Sequence, residues 1–199
     1  PPKTRRLLVV LAISTVTGMI AFPLLFNVGQ RLTSASHAAL ILAAQPLFTG
    51  IVAASVERRL PPRSWWIGAA VALSGELALV SGRELESGGA TLLGDIMVLA
   101  AGFIASVGYV AGGRLQQSGY AALSATLWSV AIASIVLSPA LIFLTTIDQL
   151  AQVPALPWAA IAHLAIGSSI VAYVGWYWSL GVGGIARIGL VQFQIGRAH

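Results

Sequence analysis

Hydrophobic and polar positions alternate along this chain in long blocks, not in the short periods of a soluble fold. Mostly apolar runs cover about 7 to 26, 37 to 56, 65 to 82, 92 to 112, 121 to 144 and 158 to 180, and a seventh begins near 186. Each of the first six is roughly 20 residues long, enough to cross a ~30 Å hydrocarbon core as a helix. The connectors between them are short and hold most of the charge. The pattern predicts an all-α polytopic membrane protein with about seven transmembrane helices in this chain.

Composition changes the picture only by closing off the soluble alternative. With 57% hydrophobic residues, 9% charged residues and a mean hydropathy of +0.88, there are too few polar side chains to cover a water-exposed surface. There are no cysteines, so neither a disulfide framework nor a thiol nucleophile is available. The first run is not a signal peptide: Lys3, Arg5 and Arg6 precede it, no small-residue cleavage site follows, and the next span comes quickly.

The net charge of +5 would suggest nucleic acid in a soluble protein, but its distribution says otherwise. Placing alternate connectors on opposite sides gathers Lys3, Arg5, Arg6, Arg58, Arg59, Arg63, Arg114 and Arg187 on one side, against Arg31 and Arg83 on the other. Lys and Arg in short loops accumulate on the cytoplasmic side. The basic excess is therefore a topology signal: the Glu57 loop faces the cytoplasm and nucleic acid is excluded as a partner. Trp65 and Trp66, Trp158, and the group Trp176, Tyr177 and Trp178 lie near run ends, as interfacial anchors would.

Small residues predict how the helices meet. Ala101, Ala105, Gly108 and Gly112 recur at steps of four, three and four, which lines one helix face for close backbone approach. Gly68, Ala72 and Gly75 form a similar, weaker set. The run over 38–60, AALILAAQPLFTGIVAASVERRL, carries Gln45 and Pro46 in its middle. A mid-helix proline removes one backbone donor, tolerated in a bilayer only where neighbours or water satisfy the freed carbonyl.

The same stretch carries a resemblance. Small residues, then Pro46, then Glu57, Arg58, Arg59 and Leu60 at the helix end, followed by Ile67, Gly68 and Gly75, resemble the EamA-type repeat of the drug/metabolite transporter superfamily. Gly94 and Asp95 resemble the opening of that family's second repeat, and 167–180, GSSIVAYVGWYWSL, a later helix region of it. The resemblance implies a ten-helix transporter built as two inverted five-helix repeats. Residues 1–90 would then be the end of the first repeat, three helices, and 91–194 most of the second, three helices and the start of a fourth. Gly18 and Gly167 fall 149 positions apart, as do Gln45 and Gln194, and this offset is the register expected of the repeat. Residues 195–199, IGRAH, resemble a translated sequencing-library adapter and are read as an artefact, so the chain is expected to be a fragment truncated at both ends.

The function implied by the resemblance is a secondary transporter that moves a small metabolite, amino acid or drug across the inner (plasma) membrane by alternating access. Its partners would be that substrate and lipid, with a homodimer left open. Candidates to line the substrate site are Asn27, Gln30, Gln45, Tyr109, Trp128, Tyr173, Gln192 and Gln194. Each could equally be an interhelical hydrogen-bond partner worth about 0.6 kcal/mol. The alternative reading is a non-transporting seven-helix membrane receptor or sensor.

Glu76 is the one carboxylate well inside a predicted span. An intramembrane acid costs roughly 2.5 to 3.5 kcal/mol on insertion scales and is a functional-site hypothesis by default. It is the candidate for proton coupling; the competing reading has it reach the outer interface. His163 is read as an interfacial or core histidine, His37 as a helix-start residue, and Glu57 as an interfacial acid ion-paired to Arg58, Arg59 or Arg63. No His, Asp and Glu set has metal-ligand spacing, no Ser stands beside a credible base, and no strand precedes Gly181, Gly183 and Gly184 to make a phosphate loop. No catalytic residue, metal or cofactor is expected, and the chain is not read as an enzyme.

Overall fold

The computed structural model describes residues 4–81, 91–144 and 153–189. Among these the chain is helical throughout: α1 (Arg5–Leu32), α2 (Ala35–Glu57), α3 (Arg63–Ser81), α4 (Leu92–Gln117), α5 (Ala122–Leu144), α6 (Ala155–Gly183) and α7 (Ile185–Gly189). Five of them, α1, α2, α4, α5 and α6, are long and apolar enough to cross a membrane. This is the all-α polytopic membrane protein that the block pattern predicts.

α4 is the hub, with α1, α2 and α6 packed around it and α5 reaching α1 and α6. Its small-residue face explains why. Ala101 and Ala105 are fully buried, and a Cβ added at Gly108 would come within 2.8 to 2.9 Å of the Gly18 backbone on α1. At Gly112 the added atom would strike the Tyr177 ring of α6. Neither backbone nor a buried ring can give way cheaply, so α1 and α6 approach α4 this closely only because those side chains are missing. The second stripe behaves differently. Nothing lies within 4 Å of a Cβ added at Gly68 or Gly75, so these two glycines pack no neighbour among the described residues.

Two helices widen locally. α1 becomes π-helical over Thr15–Ala21 and α6 over Leu164–Ala172, a geometry that inserts an extra residue into the turn and re-aims side chains. These segments hold Gly18 and Gly167, and the 149-residue offset between those glycines superimposes both the widened turns and, within two residues, the helix ends. α1 and α6 run in opposite directions: Arg6, near the start of α1, shares a groove with Arg114 near the end of α4, and a Cβ at Gly181, near the end of α6, would meet Gln116.

α2 is broken. Its halves, Ala35–Leu42 and Gln45–Glu57, join through a turn at Ala43 and Ala44. Pro46 is therefore not an interior helix residue, as expected from sequence, but the second residue of the lower half, where the missing N–H is least costly. It is buried. At the far end of α2, Arg58 takes a left-handed conformation, φ 53°, and ends the helix. Glu57 is exposed and makes no ion pair among the described residues, contrary to expectation.

The basic end of the bundle gathers the start of α1, the α2–α3 and α4–α5 turns and the end of α6. The indole N–H of Trp65 donates to the Ala186 carbonyl at 2.9 Å, tying α3 to α7. At the opposite end the α1–α2 turn is locked to the start of α4. Thr91 Oγ donates to the Leu32 carbonyl at 2.7 Å, and Thr33 donates to Asp95 at 2.5 Å. Asp95 sits in the first turn of α4, where the helix dipole favours a carboxylate.

Candidate functional site

In so apolar a chain the informative side chains are the buried polar ones, because each must find a partner or pay for desolvation. Those of α1, α2, α4, α5 and α6 converge on the bundle interior. Ser14 Oγ donates to the Gly108 carbonyl at 3.2 Å and lies 3.0 Å from the Tyr177 hydroxyl. Its single proton is used on the carbonyl, so Tyr177 donates to Ser14. The Thr15 hydroxyl is placed to donate at 2.9 Å to the Leu11 carbonyl or to Ser129 Oγ. Ser14, Thr15, Ser129 and Tyr177 are all fully buried.

A second knot joins α2 to α4 just below the break. Thr49 Oγ1 is 3.1 Å from the Gln45 carbonyl and 3.1 Å from Ser106 Oγ, and Ser106 Oγ is 3.3 Å from that same carbonyl. Ser106 also reaches the Gly102 carbonyl at 2.9 Å. The first residue of the lower half of α2 is thus anchored across the interface by its backbone, leaving its side chain for other work.

Aromatic rings from α4 and α6 complete the site. Tyr109 packs edge-on against Trp176, centroids 5.5 Å apart, and is tilted against Tyr173 at 6.4 Å. Tyr173 stands edge-on to Tyr177 at 5.6 Å. The Tyr109 hydroxyl has the Gln45 and Tyr173 side chains beside it, and the Tyr173 hydroxyl points to the Gly18 carbonyl at 3.5 Å, inside the widened turn of α1. Two donors in this group are buried with no partner among the described residues, Gln45 Nε2 and Trp176 Nε1.

Of the residues singled out from sequence, Gln45, Tyr109 and Tyr173 come together here. Asn27 and Gln30 do not: both are exposed on α1, and the Asn27 amide donates at 2.7 Å to the Pro23 carbonyl one turn back. Trp128 also faces outward, 41% exposed. Gln192 and Gln194 lie outside the described residues, as does the side chain of Glu76. His163 is exposed on α6.

Of the aromatics expected as interfacial anchors, Trp66, Trp158 and Trp178 are exposed, whereas Trp65 and Tyr177 are buried, 6% and 0% exposed, and so face the bundle interior. Neighbouring residues on a helix point about 100° apart, so Tyr177 enters the core while Trp178 leaves it. Ser14, Thr15, Thr49, Ser106, Ser129, Trp176 and Tyr177 were missed as site residues. The signal for the hydroxyls was available: a Ser-Thr pair in the middle of a long apolar run is a polar cost that an interior contact must offset.

Comparison with known proteins bears on what such an interior is for. Residues 1–81 match the EamA-like transporter family. A protein of Bacillus subtilis (strain 168) named "Uncharacterized transporter YdeK" is 28% identical over 177 residues, 87% of this chain and 59% of that protein. A second from the same organism, "Uncharacterized transporter YyaM", is 26% identical over 163 residues, 81% of this chain and 53% of that protein. The chain thus spans somewhat more than half the length of the curated relatives it matches. No solved structure matches. The family match over α1 to α3, two transporter-named relatives aligned across most of the chain, and a bundle of apolar spans packed on a small-residue hub agree in direction: the chain is similar to EamA-like transporters.

Proposed function

We propose that the complete protein is a secondary transporter of the inner (plasma) membrane, and that Gln45, Tyr109, Tyr173 and Trp176 line its substrate site. The observation that carries this reading is the pair of buried donors with no partner among the described residues, Gln45 Nε2 and Trp176 Nε1, whose residues both neighbour Tyr109. A buried donor left unsatisfied costs roughly 1 to 3 kcal/mol, and a ligand bearing acceptor oxygens, such as a carboxylate or carbonyl, would recover that cost. The aromatic faces would hold its apolar part.

Alternating access is the mechanism this arrangement suits. α1 and α6 carry matched widened turns at a 149-residue offset and run antiparallel, as inverted repeats require. On that reading 1–90 and 91–194 belong to the two repeats and rock about the site, with the basic end cytoplasmic. Glu76, the carboxylate that the sequence sets well inside the predicted third span, is the proposed coupling group, since an ionisable residue at membrane depth is a functional-site hypothesis by default.

The test compares cells expressing the complete protein with cells expressing its Gln45→Ala and Tyr109→Ala variants, by profiling small acids, amino acids and drugs inside and outside the cell. Compounds whose distribution shifts with the wild type are the substrates. Both variants should abolish the shift at unchanged membrane levels, while Asn27→Ala and Trp128→Ala, which face outward, should keep it. The reverse pattern, or no shifted compound at all, would remove the site.

A further inference from the structure

Away from the aromatic site, a groove of about 440 Å³ runs between α1, α2 and α4 at the basic end. Its walls are apolar, with Val10 and Ile13 from α1, Val52 from α2, and Val107 from α4. Its mouth holds two arginines. Arg6 is the second residue of α1, and Arg114 stands one turn before the end of α4. The groove extends seven residues inward from each, to Ile13 on α1 and to Val107 on α4, or about 10 Å along antiparallel helices.

The charge here is unanswered. Arg114 Nε is buried with no hydrogen-bond partner, and neither arginine has an ion-pair partner among the described residues. A guanidinium whose Nε is shut away from water loses hydration that only an anion or strong acceptors can replace. Ile13 and Val56, on the rim, are 41% and 49% exposed, so the groove opens sideways onto the apolar exterior of the bundle and not only toward water. A ligand that matches both features carries an anionic head at the level of the helix ends and a hydrocarbon tail running along them.

We infer that this groove is a binding site for one anionic phospholipid, its phosphodiester held by Arg6 and Arg114 and one acyl chain lying along Val10, Val52 and Val107. The inference depends on the chain's being a membrane protein and not on transport. Because the tail is in hydrocarbon whether bound or free, the groove contributes register and the arginines contribute selectivity. Each basic residue at a lipid surface strengthens anionic binding roughly fivefold.

The complete protein, purified in detergent, would be mixed with equal amounts of phosphatidylglycerol and phosphatidylcholine of identical acyl chains and read by native mass spectrometry. Wild type should retain phosphatidylglycerol in preference. Arg6→Gln and Arg114→Gln should each cut that preference roughly fivefold, Arg114→Lys should recover part of it, and Arg5→Gln, outside the groove, should change nothing. Val107→Phe, with both arginines intact, should lower lipid retention by filling the groove; Ala111→Val, a smaller change on the same wall, should lower it less. Equal retention of the two lipids, or a preference indifferent to Arg6 and Arg114, overturns the site. So does retention unaffected by both groove-filling changes, which would mean another segment of the protein covers the groove. Displacement of the lipid by excess inorganic phosphate or glycerol phosphate would show a headgroup pocket alone and would equally refute the lipid assignment.

Discussion

His37 Nδ1 and Asp95 Oδ2 meet at 3.3 Å across 58 positions of sequence. The pair joins the first turn of α2 to the first turn of α4, and Thr33 donates to the other oxygen of the same carboxylate. Ser34 closes the arrangement by accepting the His37 backbone N–H at 3.2 Å, so that Ser34 caps α2. One carboxylate therefore fixes the α1–α2 turn against the hub helix.

The two partners should not matter equally. Both side chains are about one-third exposed, 32% for His37 and 29% for Asp95, and solvent screens an ion pair at that depth to a few tenths of a kcal/mol. Asp95 also anchors Thr33 and complements the helix dipole. Asp95→Ala should lower thermal stability in detergent by about 1 kcal/mol, and His37→Ala by clearly less. Equal losses from the two would mean that the ion pair, not the Thr33 bond, carries the latch.

Gly108 offers a sharper test of packing. Its missing side chain is what allows the α1 backbone at Gly18 to approach, and backbone cannot shift without moving the whole helix. Gly108→Ala should destabilise by about 1 to 3 kcal/mol despite alanine's better helix propensity. Gly68→Ala and Gly75→Ala, which meet nothing within 4 Å, should be neutral or slightly stabilising. Thermal unfolding of the three variants separates them; a loss at Gly68 or Gly75 equal to that at Gly108 would show that their face is covered.

How far the sequence was legible follows from these same residues. Apolar runs of membrane-spanning length set the helices, since a bilayer leaves few other ways to satisfy backbone polar groups. The four-three-four spacing of Ala101, Ala105, Gly108 and Gly112 gave away the hub face because small residues at that period have one use between membrane helices. What the sequence did not carry is rotation about each axis. In a soluble helix the polar face marks the outside, but here lipid and core are equally apolar, so nothing told Trp128 and Asn27 to face out or Tyr177 to face in. The π segments, which alter that rotation partway along α1 and α6, have no sequence signal that was read, although each contains one of the glycines of the 149-residue offset. Gln45, Tyr109 and Tyr173 were chosen for chemistry alone and share a site because the α2 break and the widened turns aim them together.

The orientation of the bundle is open to a direct measurement. The chain is free of cysteine, so single cysteines at Ser64, at the start of α3, and at Ser87, in the sequence between α3 and α4, can be labelled cleanly in the complete protein. An impermeant thiol reagent should reach Ser87→Cys in intact cells and Ser64→Cys only after the membrane is opened, as the basic bias requires. Labelling of both from one side would contradict the span assignment of α3.

Pro46 connects the fold to the proposed site. With no N–H on Pro46, the Leu42 carbonyl has no partner four residues on, and the chain breaks at Ala43 and Ala44, where the Ala44 and Leu47 amides instead bond three residues back, at 3.2 and 3.0 Å. The break sets the direction of the lower half of α2, and so the position of Gln45, whose carbonyl is tied to Thr49 and Ser106 and whose side chain faces Tyr109. Pro46→Ala restores a donor to the Leu42 carbonyl and favours one continuous helix, which would rotate Gln45 away from Tyr109 while leaving Thr49 and Ser106 in place. Stability should be unchanged or slightly higher, whereas transport should fall on the order of tenfold through a site misplaced by about an ångström. Thermal unfolding and substrate flux measured on the same preparation decide the matter: wild-type flux in Pro46→Ala would make the break a packing feature, and a parallel fall in stability and flux would make the proline a folding residue and not a positioning one.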